Sequence, residues 1–90
     1  MVKSIVTVIG HDKVGIIANV AVLLAKYGVN ILDINQTVMQ EFFTMTMLVD
    51  TSLSTEPFDA ISAALSAKGE EMGLSIRIQR EDIFDAMHKI

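Results

Sequence analysis

Two strand-like runs, Asn30 to Gln40 and Phe42 to Asp50, stand back to back in the middle of this chain with only the Gln40-Glu41 link between them. A parallel crossover needs a dozen or more residues, so a link this short favours an antiparallel hairpin. Alternation places Leu32, Ile34 and Val38 on one face of the first run, and Phe43, Met45, Met47 and Val49 on one face of the second. Met45 and Met47 are assigned to the core, because methionine at strand spacing is more often packing than binding surface.

The flanks repeat one pattern. Val2 to Ile9 is β-branched nearly throughout and reads as a strand closed by Gly10. Both of its alternating sets, Val2/Val6/Val8 and Ile5/Ile9, are apolar, which predicts a central strand covered on both faces. Asp12 offers a carboxylate at the N-cap of a helix running to about Tyr27, with Gly28 as its C′ residue and Ile16, Val20, Leu23 and Leu24 as its inward stripe. After the hairpin, Ser54, Thr55 and Pro57 mark a second helix start, since proline is tolerated where an N–H would be unpaired anyway. Phe58, Ile61, Leu65 and Met72 share one side of that helix, and Gly73 ends it. Leu74, Ile76 and Ile78 then alternate with Ser75, Arg77 and Gln79, giving a strand with one wet face. A tail from Asp82 to Ile90 carries Ile83, Phe84, Met87 and Ile90 at helical spacing.

The order β-α-β-β-α-β predicts an α+β fold, the ferredoxin-like sandwich: a four-stranded antiparallel sheet with two helices on one face and a short C-terminal helix. One domain is expected over residues 1–90, with its core in 2–80 and the helical tail in 82–90. The first and third strands are expected at the centre of the sheet. The face away from the helices is then left to the tail, to a second chain, or to both.

Composition narrows the function. A chain of 90 residues buries only ~60–65% of the surface its unfolded form exposes. Yet 51% of the residues are apolar and there is no cysteine to staple the core, so a homodimer or higher oligomer is expected. The net charge of −4 and the lack of Lys/Arg clusters argue against a nucleic-acid surface. The most apolar stretch, Val14 to Ala25, contains Gly15 and Asn19 and falls well short of the ~20 residues of a spanning helix. Met1-Val2-Lys3-Ser4 passes directly into a strand pattern, so no signal peptide and a cytoplasmic location are expected. Catalysis finds little support: His11 and His88 stand at opposite ends of the chain, far from making a triad or a metal pair. The Gly10 to Gly15 spacing mimics a P-loop, but Ile16-Ile17 follow where lysine and a hydroxyl would hold phosphate and magnesium. Neither enzyme activity, nor a metal, nor a cofactor is expected.

The most unusual segment is the first strand-to-helix turn, Gly10-His11-Asp12-Lys13-Val14-Gly15-Ile16. A helix N-terminus offers unpaired N–H groups and a partial positive charge to a carboxylate or phosphate. Gly15, expected inside the first helical turn, costs roughly 1 kcal/mol relative to alanine. That cost is explained by a ligand or another chain coming close to the backbone, or by relief of a helix–sheet contact.

Asp12-Lys13-Val14-Gly15-Ile16 together with Gly28-Val29-Asn30-Ile31 resembles the ACT domain family, the amino-acid-sensing modules of metabolic regulation. The resemblance covers roughly Val2 to Arg80, with Lys13 and Val14 where the family's turn motif has arginine and proline. Gln36-Thr37-Val38, Phe43-Thr44-Met45 and the tail Ile83-Phe84-Asp85-Ala86-Met87 are most similar to free-standing single-domain proteins related to the glycine cleavage system transcriptional repressor. The resemblance implies a non-catalytic regulatory module holding a small metabolite, an amino acid above all, at a homodimer interface. It implies that the turn of one subunit, His11, Asp12, Val14, Gly15 and Ile16, faces Asn30, Ile31 and Asp33 of its partner. Amides near Gly15 would take a ligand carboxylate, and Asp12, Asn30 or Asp33 an ammonium. The competing reading is a dimer that binds a protein partner and no metabolite, with Asp12 a cap, Asn30 a turn residue and Asp33 a solvated side chain.

Overall fold

The structure, a computed structural model, describes residues 3–11 and 15–80. Its elements are β1 (Lys3–His11), α1 (Ile16–Lys26), β2 (Asn30–Met39), β3 (Phe42–Asp50), α2 (Phe58–Met72) and β4 (Ser75–Arg80). The strands form one antiparallel sheet in the order β2-β3-β1-β4, so the first and third strands are central as expected. This is the ferredoxin-like βαββαβ sandwich. The expected tail helix lies outside the described residues.

The core lies between the sheet and the helices. Val6 and Val8 of β1, Phe43, Met45, Met47 and Val49 of β3, and Ile76 and Ile78 of β4 point to the helices. Ile16, Val20 and Leu24 of α1 and Ile61 and Leu65 of α2 meet them, with Leu23, Phe58 and Met72 half-buried at the margin. Full burial of such side chains is worth about 1.5–3 kcal/mol each, which is how a sheet of this size holds together without a disulfide.

Both helices end in the same way. At α1 the Gly28 N–H donates to the Ala25 carbonyl (3.0 Å) and the Val29 N–H to the Leu24 carbonyl (2.9 Å), with Gly28 at φ 73°. At α2 Gly73 and Leu74 repeat the pattern onto Glu70 and Gly69. These are Schellman caps, and each brings the apolar residue after the glycine, Val29 or Leu74, back onto the core. The Ser54 hydroxyl donates to the Tyr27 carbonyl and ties the approach to α2 to the end of α1.

Four details correct the sequence reading. Gly10 does not close the first strand, which continues to His11. Its missing side chain instead admits Leu74, since a Cβ there would collide with the end of that leucine. Asp12 is not the N-cap of α1: that position is Gly15, and the helix begins at Ile16. Gly15 is therefore not inside the first turn. It holds φ 85°, a left-handed conformation that β-carbon-bearing residues adopt at a cost, so backbone conformation explains the glycine. Leu32 does not share a face with Ile34 and Val38, because a bulge between Ile31 and Asp33 puts Ile31 there instead.

Candidate functional site

The face away from the helices can be laid out from the strand register. Its rows, read from β2 through β3 to β1, are Asn30-Asp50-Lys3, Asp33-Leu48-Ile5, Asn35-Thr46-Thr7, Thr37-Thr44-Ile9 and Met39-Phe42-His11. The side chains opposite one another in antiparallel pairs lie on the same face, so these rows are true neighbours.

This layout separates the candidate residues into two groups. His11, with Gly15 and Ile16 beyond it, stands at one end of the sheet, and Asn30, Ile31 and Asp33 stand at the other. Lys3 and His11 mark the two ends of β1, eight residues apart, which at ~3.4 Å per strand residue is about 27 Å. One chain does not bring the two groups together. Asp12 and Val14 lie outside the described residues.

At the turn, Gly15 is exposed and has no side chain with which to cap the helix, and no acidic residue stands in the first turn of α1. The first amide hydrogens of α1 thus point outward at the positive end of the helix dipole without a carboxylate of their own helix to receive them. Asn19, which the sequence reading did not assign to the site, locks this geometry. Its backbone N–H (2.9 Å) and its side-chain amide (2.8 Å) both donate to the Gly15 carbonyl. Beside the turn, the His11 imidazole stacks on the Phe42 ring with centroids 5.3 Å apart and planes 28° from parallel. Phe42 is half-exposed, so the pair forms a flat aromatic shelf at this end. Only the register across two strands reveals that pairing.

At the opposite end, Asn30 opens β2 and is exposed, Ile31 is half-buried under the helices, and Asp33 is exposed. The Asp33 carboxylate accepts the Ile34 N–H (2.9 Å), so part of its hydrogen-bonding capacity serves the bulge. Asp50, beside Asn30, accepts the Ser52 N–H in the same manner (2.9 Å). Among the described residues no group of three His, Cys, Asp or Glu could hold a metal ion, and no helix is long and apolar enough to cross a membrane.

The left-handed Gly15 gives a direct test of the turn. Gly15→Ala is expected to cost ~1–2 kcal/mol, while Gly15→Asn, a residue that tolerates this region, costs clearly less. Urea denaturation of the two variants checks the order. An alanine variant as stable as the parent would mean that the turn is not left-handed.

A family model described as "ACT domain" matches residues 4–79. The chain belongs to the ACT domain family. ACT domains are regulatory small-molecule-binding modules, and this chain is similar over nearly its whole length to UPF0237 proteins. A UPF0237 protein of Clostridium acetobutylicum is 54% identical over 88 residues, covering 98% of this chain and 99% of that one. Among solved structures, an ACT domain protein from Streptococcus pneumoniae is 40% identical with a TM-score of 0.81, covering 97% of this chain and 98% of that one. A protein assigned as a glycine cleavage system transcriptional repressor is 26% identical with a TM-score of 0.73, covering 88% of this ACT domain and 45% of that protein.

Proposed function

We propose that this ACT domain is a non-catalytic sensor that binds an amino acid between two copies of itself, the turn of one facing the start of β2 of the other. The observation that carries the reading is an exposed helix N-terminus opened by a left-handed glycine, in a chain whose complementary polar residues stand at the far end of the same sheet. The amides at Gly15 and Ile16 would receive the ligand carboxylate, with His11 beside them. Asn30 and Asp33 of the other copy would receive the ammonium, and Ile31 would close the seam beneath. Asp12 and Val14 are part of the same proposal.

Symmetry supports the arrangement. Two copies related by a two-fold axis run adjoining edges antiparallel, so the turn end of one meets the Asn30 end of the other. The β2 edge suits such a contact, because Leu32, Ile34, Val38 and Met39 along it are 38–68% exposed. α1 packs toward that same side of the sheet. An apolar edge of this kind left bare invites pairing. A cytoplasmic location belongs to the same reading, as does action on its target through another protein.

Thermal unfolding against each proteinogenic amino acid tests the function. Ligand at a hundredfold excess over Kd stabilises by ~2.7 kcal/mol. For a domain of this size that corresponds to a midpoint rise of roughly 10 °C or more. A flat response to every amino acid, together with a protein partner that binds the dimer, would favour the scaffold reading instead.

A further inference from the structure

A groove of about 260 Å³ runs between α2 and β4, lined by Ser66 and Glu70 of the helix and by Leu74, Ser75, Ile76 and Arg77. Consecutive side chains of a strand point to opposite faces, so what four residues in a row share is the main-chain edge. That edge is open: among the described residues β4 pairs with β1 alone, in unbroken register from Ser75 to Arg80. We propose that the β4 edge binds an extended peptide of a partner protein as a fifth strand, with an acidic side chain of the peptide beside Arg77. The inference goes beyond the metabolite reading and does not depend on it.

The chemistry of the edge selects this occupant. Alternate residues of an edge strand turn N–H and C=O groups outward, and another strand satisfies them along its whole length. Proline, lysine and bulges are common means of blunting such an edge. β2 has a bulge between Ile31 and Asp33, whereas β4 has none of the three. The helix supplies a wall. Gly69 lets α2 come down onto β4, where a Cβ would collide with the Leu74 carbonyl. Ser66 and Glu70, four residues apart on one ridge of α2, are exposed along the groove. Their rise of about 6 Å is close to the ~6.8 Å two-residue repeat of a strand, so they meet successive side chains on the helix side of an added strand.

Charge decides between a foreign peptide and a second copy. Arg77 is exposed on the face it shares with Thr7, and among the described residues it takes part in no ion pair. The acidic residues of that face, Asp33 and Asp50, stand on β2 and β3, about 10–14 Å away at ~4.8 Å per strand. A strand with Asp or Glu beside Arg77 gains a favourable cross-strand pair. Pairing of β4 with its own copy through a two-fold does the reverse, because it brings Arg77 opposite or diagonal to its counterpart.

The test selects a displayed library of random twelve-residue peptides against the full chain. Enriched peptides are remade with a single N-methyl group at each residue in turn. The expected result is a set of peptides carrying Asp or Glu, whose amide shifts on the labelled protein fall on β4 and on Ser66 and Glu70. N-Methylation should weaken binding about tenfold or more at every second residue and little between, because only alternate peptide amides reach β4. Arg77→Glu should weaken it roughly three- to tenfold by turning attraction into repulsion. No enriched peptide, shifts that fall elsewhere, losses without the two-residue period, or an unchanged affinity for Arg77→Glu would each overturn the proposal. So would β4 amides that shift on dilution with no peptide present, which would mean that a second copy holds the edge.

Discussion

Gly69→Val is expected to destabilise the protein by about 3 kcal/mol, against the ~0.05–0.15 kcal/mol per residue that a domain typically has in total. Gly69 is buried in the last turns of α2, where the helix comes closest to β4. A Cβ at this position would stand 2.8 Å from the Leu74 carbonyl oxygen and 3.2 Å from Ile76 Cγ1. The first of these is backbone and does not give way as a side-chain tip would. Gly69→Ala separates the two forces at work. Alanine gains roughly 1 kcal/mol of helix propensity over glycine, whereas overpacking costs ~1–3 kcal/mol, so a net loss is still expected. Ala67→Val, on the exposed side of the same helix, should change stability by no more than ~0.5 kcal/mol. Urea midpoints for the three variants check the ranking; a Gly69→Val protein as stable as the parent would mean that helix and strand are not in contact here.

Leu24→Ala is the second large effect, with an expected loss of ~2–5 kcal/mol. Leu24 is fully buried, and its carbonyl also accepts the Val29 N–H that turns the chain from α1 into β2. The truncation leaves a cavity beneath that turn, which the Schellman cap and the Ser54 contact to Tyr27 keep from collapsing. The thermal midpoint should fall by roughly 10 °C or more, with the denaturant slope unchanged. Val22→Ala is the matched control, since Val22 stands two residues away and is mostly exposed.

The hairpin, both helices and the central place of the first and third strands were readable from alternation and spacing, because those signals recur over many residues. Gly28 and Gly73 were readable as helix ends for a similar reason: each follows a finished apolar stripe. Single-residue backbone states were not. Asp12 is a strong N-cap signal, so it outweighed the possibility that the chain runs on and starts the helix from a left-handed Gly15. The bulge beside Leu32 leaves the apolar alternation of β2 intact on paper while moving one side chain off its face. Gly10 and Gly69 look like punctuation, yet both are close-approach positions against β4 or the residue just before it, which no local pattern encodes. The turn was legible as a candidate site, whereas the His11–Phe42 shelf and the Asn19 lock depend on register and helix phase.

The most direct test of an amino-acid site shared between two copies is an amide chemical-shift titration of the uniformly labelled protein with the amino acid that raises its melting point. The account predicts that Gly15 and Ile16 shift together with Asn30 and Ile31, all following one binding curve, although a single chain holds the two groups at opposite ends of its sheet. Shifts confined to one end of the sheet, or two ends that saturate at different concentrations, would contradict it.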